Sequence, residues 1–463
     1  MDGNDVRREG GAEGEAVYRE ASRQRIAVDQ RPGKWSSSFV ATLVLWALCS
    51  GKLVSAQDSD TGTTTSPTFG GEFLDRSKLT GDWGGLRSRL ARNGITLDAD
   101  VTQFYQGVTS GGRKQTFEYG GHGDYVLNVD AGKLAGLTGL FLTVRAEHRF
   151  GENINQETGT LLPAAVAANL PASNSRALYF TDVLVTQFLS DSFALFAGKM
   201  QTLDGDMNDF AHGRGKDQFL NMAFVADIAS ALTIPYSTLG AGFVLVKDTQ
   251  PWLSVTVLNA TDTTTTAGFN ELFKHGVAVS PEMRLPTRFF DRPGHQLIGA
   301  TWNSKDFLAL GQDPRFDISS SAIPLEKRQS AWSVYWNFDQ YLAVDPQQPS
   351  RGWGIFGRAG YADKHSNPLN WYVSAGLGGQ SPIPGRGADT FGIGWYYAKT
   401  SSELGRLAQS LLGPVGDGQG AELFYNIAAT PWLHLTPDLQ ILKSAVERLD
   451  TAIVLGFRAK ADF

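Results

Sequence analysis

Residues Ile453 to Phe463 read IVLGFRAKADF. In an extended chain Ile453, Leu455, Phe457, Ala459, Ala461 and Phe463 fall on one face, and Val454, Gly456, Arg458, Lys460 and Asp462 on the other. Alternation of period two predicts a strand with one face against an apolar medium and the other against water. The segment runs to an aromatic residue without a polar tail. Two architectures accommodate it: the edge of a soluble sandwich, or a membrane-spanning strand of a closed barrel. A single segment of this length does not separate them.

The other end of the chain shifts the balance. Phe39 to Cys49 (FVATLVLWALC) is an apolar run preceded by Arg25, Arg31 and Lys34 and followed by Val54-Ser55-Ala56. These are the three parts of a secretory signal, so residues 1–56 are expected to be a signal peptide cut after Ala56. The run is too short for a spanning helix, which needs ~20 apolar residues. Bulky Leu48 before Cys49 argues against a lipid-modified signal. The long mixed-charge stretch ahead of the run points to a translation start further in. Cys49, the single cysteine, leaves with the signal. The exported chain then has no disulfide and no thiolate metal site.

A formal net charge of −6 gives no footing for nucleic acid. Beyond the signal no run of 18 apolar residues occurs, which excludes a helical membrane protein. A barrel is the membrane class whose sequence can be this polar, because half of each strand faces water.

Residues 57–78 (beginning QDSDTGTTTSPTFGG) read as a flexible leader. Residues 79–94 hold one short helix: Asp82 is its cap, Trp83, Leu86 and Leu90 share a face, and Asn93-Gly94 ends it. From Ile95 onward the pattern is strand. Ile95, Leu97, Ala99 and Val101 oppose Thr96, Asp98, Asp100 and Thr102; Leu140, Leu142, Val144 and Ala146 oppose Thr143, Arg145, Glu147 and Arg149. Tyr125–Ala131, Trp332–Leu342, Trp353–Tyr361, Leu369–Leu377, Phe391–Tyr397, Leu423–Ala429 and Leu433–Ile441 alternate likewise, separated by Gly, Pro, Asn and Asp. Asp204–Lys216, Thr261–His275 and Gln312–Arg328 read as longer loops, and Ser402–Gly413 as a loop with room for one helical turn or two. About ten amphipathic strands with no helices to cover an open sheet favour closure, which pairs every backbone N–H and C=O where lipid cannot. The expected fold is all-β: a transmembrane antiparallel β-barrel of about 16 strands spanning 95–463, with a short N-terminal helical segment.

LTGDWGGLRSRLARNG at Leu79–Gly94, just before the first strand, resembles the opening of carbohydrate-selective porins of the OprB family. AGKMQTLDGDMNDFAH from Ala197, QFLNMAF from Gln218, WNFDQYLAV from Trp336, GIFGRAGYA from Gly354 and ELFYNIAATPWLHLTPDLQ from Glu422 follow in the family's order. The resemblance implies a sixteen-stranded outer-membrane barrel with its N-terminal helix on the periplasmic side. It implies passive diffusion of small sugars and no catalysis or cofactor. Phe463 would be the residue read by the barrel-assembly machinery. Outer-membrane lipid and small sugars are the expected partners, nucleic acid is not, and a homotrimer or a lone barrel both stay open.

Such a pore lowers the cost of moving a polar solute across ~30 Å of hydrocarbon by offering a wet path lined with hydrogen-bonding groups. Alternation puts Arg145, Glu147, Arg149, Lys199, Arg358 and Arg458 on the lumen side, with Tyr372 and Tyr396 as platforms for a sugar's C–H faces. The charges read equally as ladders bracing the wall. Trp395, Tyr397 and Trp432 are expected in the interfacial girdle. A general or anion-selective pore, a structural barrel and a barrel hydrolase are the alternatives. The seven histidines are scattered and no G-x-S-x-G or H-E-x-x-H occurs, which tells against the last. No run has the D-x-D-x-D-G spacing of a calcium loop.

Overall fold

The computed structural model describes residues 69–463 apart from 172–175, 313–324, 347–350, 405–407 and 409–412. The expected signal peptide, most of the leader and most of the loop Gln312–Arg328 lie outside the described residues. Sixteen strands form the wall: β1 Ile95–Ser110, β2 Phe117–Asp130, β3 Leu140–Gly151, β4 Tyr179–Ser190, β5 Phe193–Gln201, β6 Ser237–Lys247, β7 Gln250–Asn259 and β8 Val277–Phe289 make the first half. The second half is β9 Arg292–Leu308, β10 Lys327–Val344, β11 Gly352–Ala362, β12 Leu369–Gln380, β13 Thr390–Thr400, β14 Gly418–Thr430, β15 Leu433–Lys443 and β16 Ala452–Asp462.

Each strand pairs with its neighbours in sequence, and β1 closes on β16, with Val101 opposite Ala461 and Tyr105 opposite Phe457. All pairings are antiparallel, so no sheet edge meets lipid. In β16, Ile453, Leu455 and Phe457 are exposed on the outside while Val454 and Arg458 are fully buried inside, as the alternation requires. β10 starts within the expected loop, since Lys327 and Arg328 already pair with Leu308 and Phe307.

The two ends of the barrel differ. One has the tight turns 191–192, 248–249, 290–291 and 431–432; at 248–249 and 290–291 both central residues have positive φ, the geometry that matches strand twist. The other has the long connections 152–178, 202–236, 260–276, 309–326 and 401–417. In outer-membrane barrels the short turns are periplasmic and the long loops extracellular.

At the short-turn end, helix α1 (Leu86–Arg92) packs beside the start of β1. The motif ahead of it needs its glycines. Trp83, Gly84 and Gly85 have φ of 52°, 66° and 87°, a left-handed run that a side chain at 84 or 85 would strain. Asp82 caps the helix from a distance, its Oδ1 accepting from the backbone N–H and the hydroxyl of Ser88, both at 2.8 Å. Trp395 lies on the lipid face, but Trp432 does not: its ring is buried edge-on against Phe73 and its indole N–H donates to the Phe73 carbonyl.

Candidate functional site

Connection 202–236, between β5 and β6, folds into the lumen. Phe210, Phe219, Leu220, Phe224, Val225 and Ile228 are almost fully buried, and a loop this apolar gains by leaving water. The facing wall supplies Phe356, Tyr372, Tyr396 and Phe424 from β11 to β14, all in one cluster with the loop rings. Phe219 lies 4.7 Å from Phe224, 4.9 Å from Phe424 and 5.3 Å from Phe356, centroid to centroid, within the range of favourable aromatic pairs. Gly392 and Gly394 on the inner face of β13 make the room. A Cβ at 392 would stand 2.7 Å from the Phe219 ring, and one at 394 would stand 2.6 Å from that of Phe224. Two single-turn helices shape the loop, Met222–Val225 capped by Asn221 and Ile228–Ala231 capped by Asp227. Connection 152–178 packs on top: the Val166 N–H donates to the Leu220 carbonyl, and the Met222 N–H to that of Pro163.

Charged wall residues fasten this loop. Arg145 bonds Asp204 of the loop at 2.6 Å and pairs with Asp124 and Asp182 on the strands beside it. Glu147, fully buried, accepts from Arg214 and from the Tyr236 hydroxyl of the loop, and from Thr181 on the wall. Lys216 reaches Asp100 on β1 and Asp124 on β2. Opposite them, Arg358 on β11 bonds Asp206 Oδ2 at 2.6 Å and the carbonyls of Phe224 and Ala211. Asn337 on β10 donates to Asp206 and accepts from Asn208. On β14, Glu422 accepts the backbone N–H groups of Leu220 and Asn221. Arg458 on β16 donates to the carbonyls of Gly215 and Gln218, and Lys460 pairs with Asp217.

The residues expected at the lumen therefore sit on the inner face, and most of them touch the loop. Arg149 donates to the Asn169 carbonyl of connection 152–178, and Lys199 to the carbonyls of Thr263, Thr264 and Thr266 in connection 260–276. Tyr372 and Tyr396 are 1 % and 2 % exposed, so neither ring offers a face to a passing solute. Their faces are taken by the loop. Sequence reasoning missed Asp204, Asp206, Arg214, Lys216, Asp217 and Tyr236 as partners of those wall charges. Asp204, Asp206, Arg214 and Lys216 fall in the stretch Asp204–Lys216 expected as a loop, and its density of charges around Phe210 was the available signal.

The loop charges respond to their partners. Burial alone would raise the Asp204 carboxyl, but Arg145 and Arg214 hold it well below the usual carboxylate range. Asp217, its side chain half exposed, is lowered too: its partial burial opposes ionisation, and Lys460 and Lys216 override it. Lys216 is raised, the attraction of Asp100 and Asp124 exceeding the burial penalty. Asp227 goes the other way. Burial, reinforced by nearby Asp206, pushes it up to about 7.

Because the loop leans on the β11–β14 side, space remains toward β7–β10. A cavity of about 350 Å³ lies there, lined on the wall by Ser254, Thr256, Ser280, Glu282 and Tyr335 and on the loop by Asp206 and Asp227, among others. Its two wall-linked acids are tied: Glu282 accepts from the Tyr335 hydroxyl and the Asp206 N–H, and the Asp206 carboxylate accepts from Arg358 and Asn337. Apolar side chains form most of the remainder, Val166, Leu170, Leu203, Met222, Ile234 and Leu258 among them, with the hydroxyls of Thr202, Ser230 and Tyr236 between.

The sequence profile of the carbohydrate-selective porin, OprB family, matches residues 114–463, so it covers the loop and fifteen strands but not the opening motif at Leu79. Porin B of Pseudomonas aeruginosa is 28 % identical over 130 residues, a stretch that spans 25 % of this chain and 29 % of that protein. The high-pH structure of Pseudomonas putida OprB superposes with a TM-score of 0.72 at 19 % identity, covering 85 % of this chain and 100 % of that one. The low-pH structure of the same protein gives 0.52 at 16 % identity, covering 84 % and 99 %. These two show the shared fold. With the profile spanning most of the barrel, the chain belongs to the carbohydrate-selective porins of the OprB family, outer-membrane channels that are not enzymes.

Proposed function

We propose that this porin passes small neutral sugars singly through the gap between loop 202–236 and the β7–β10 wall. The observation that carries the reading is the chemistry of the 350 Å³ cavity, which falls in the ~300–1,000 Å³ range of small-molecule sites. Its hydroxyls and tied carboxylates exchange hydrogen bonds with a polyol, while Leu203, Met222 and Ile234 suit the C–H faces. Few unpaired charges face it, which leaves no strong hold on an ion and lets a sugar leave again. On this reading Arg145, Glu147, Arg358 and Arg458 set the aperture by seating the loop and do not touch the solute. Arg149 and Lys199 do the same for the two flanking connections. Phe463 is proposed as the residue recognised during barrel assembly, to be tested by deleting it and following arrival in the outer membrane.

Liposome swelling tests the transport reading. Monosaccharides should enter faster than disaccharides and faster than size-matched amino acids. Equal rates for all three would reduce the protein to a general diffusion pore.

A further inference from the structure

Near the periplasmic end of the lumen, three ligating side chains from three separate segments converge, and the proposed sugar path uses none of them. His295 and Asp339 face each other across β9 and β10 in register, both pointing inward, and Asp209 arrives from the infolded loop. His295 Nδ1 is 2.7 Å from Asp339 Oδ1 and 3.8 Å from Asp209 Oδ2, and the three ligand atoms lie within 4.8 Å of one another.

We propose that Asp209, His295 and Asp339 bind one divalent transition-metal ion, which pins loop 202–236 to the barrel wall. A tetrahedral ion with bonds of ~2.0–2.2 Å keeps its ligand atoms roughly 3.3–3.5 Å apart, so shifts of about an ångström from the present spacings suffice. The opposite oxygens are already oriented. Arg284, inward on β8, donates to Asp209 Oδ1 at 2.8 Å and lies 3.5 Å from Asp339 Oδ2, as a second layer of contacts does around metal-bound carboxylates. Tyr341 steadies Asp209 further, its hydroxyl donating to Oδ2 at 3.1 Å. A metal taking the lone pair of His295 Nδ1 displaces the hydrogen shared with Asp339 to water, and the two carboxylates then face one guanidinium, a surplus of negative charge that favours a cation. The side chains of His295 and Asp209 are 21 % and 29 % exposed, so an ion enters from lumen water and keeps a water ligand. One imidazole with two carboxylates suits Zn²⁺ or Co²⁺ better than Ca²⁺ or Mg²⁺, which take oxygen shells of six or more.

The test uses untagged, full-length barrel in detergent, stripped with EDTA and dialysed free of it. Co²⁺ is titrated against the visible absorption of the bound ion, and Zn²⁺ by calorimetry. One ion per chain is expected, with affinity at least tenfold weaker in His295→Ala and in Asp209→Asn. Asp209 lies outside the strand ladder, so its variant retains the wall even where the His295 variant does not fold. Heat-modifiable migration in gels establishes folding for each. Absence of stoichiometric binding to the unaltered protein, or undiminished affinity in either folded variant, overturns the site. The sugar reading survives that result, since swelling rates are measured without metal.

Discussion

Arg87 donates a 2.8 Å hydrogen bond to the backbone oxygen of Phe463, 376 positions away in sequence. The same guanidinium bonds the Leu97 carbonyl on β1 at 2.9 Å. One side chain of the L-T-G-D-W-G-G-x-R motif thus spans the seam where the last strand meets the first. Lys78 assists, pairing with Asp98 at 2.7 Å, and the Leu79 N–H donates to the Asp462 carbonyl.

Arg87→Ala should loosen that seam. Charge-assisted hydrogen bonds contribute about 1.5–3 kcal/mol each, and the abandoned carbonyls lie at a rim where water replaces part of that. A loss of roughly 2 kcal/mol is expected, read as a lower midpoint of urea unfolding. Arg87→Lys should recover only part of it, because one nitrogen, Nη2, serves both seam carbonyls and an ammonium can imitate that, but the second arm that reaches the Gly81 carbonyl at 3.4 Å is lost.

Phe219→Ala should release the loop. The residue touches Phe224, Phe356 and Phe424, and removing a buried Phe costs about 3–5 kcal/mol. The barrel wall does not depend on that ring, so the loss falls on the loop's seating. Single-channel conductance in planar bilayers should rise and discrimination between sugars and amino acids should fall. Gly394→Leu should do the same by intruding on Phe224.

Arg358→Ala leaves Asp206 buried without its guanidinium, a change that costs about 3–5 kcal/mol when a buried pair loses one member. Protease cleavage within 202–236 should become detectable in the folded variant. The double variant Arg358→Ala with Asp206→Asn should regain part of the protection.

Two pH windows bound the seating of the loop. Asp227 holds its proton up to about pH 7, above the ordinary carboxylate value of 3.8, so its contribution is complete below 3.8 and is lost as pH rises through 7. Asp204 and Asp217 are depressed, so theirs is present above 3.8 and is lost as pH falls toward their lowered values. Protease resistance of the loop should peak at about pH 4, where Asp227 keeps its proton and Asp204 and Asp217 are ionised, and decline from there both toward pH 7 and toward stronger acid. In Asp227→Asn the alkaline decline should disappear while the acid one stays.

The wall was legible because each strand carries its own evidence. In β3, Arg145 and Glu147 point inward while Leu142 and Val144 point to lipid, and that reading needs no partner strand. The loop was not legible in the same way. Arg358 and Asp206 are 152 residues apart, and nothing local at either announces the other. Phe219 and Phe224 sit in a stretch with neither clean alternation nor a helical stripe, because their packing partners lie on three different strands. Tyr372 and Tyr396 face inward as alternation requires, yet alternation alone cannot tell a ring that meets water from one that meets a folded-in segment.

The fastening of segment 202–236 to walls on opposite sides has a mechanical result. Lys216 holds β1 and β2, and Asp206 holds β10 and β11, half a circumference away in strand order. A hollow cylinder one peptide thick flattens easily under sideways compression from the bilayer. Here the segment spans the interior as spokes span a wheel, tying together walls that share no hydrogen-bonded ladder of their own.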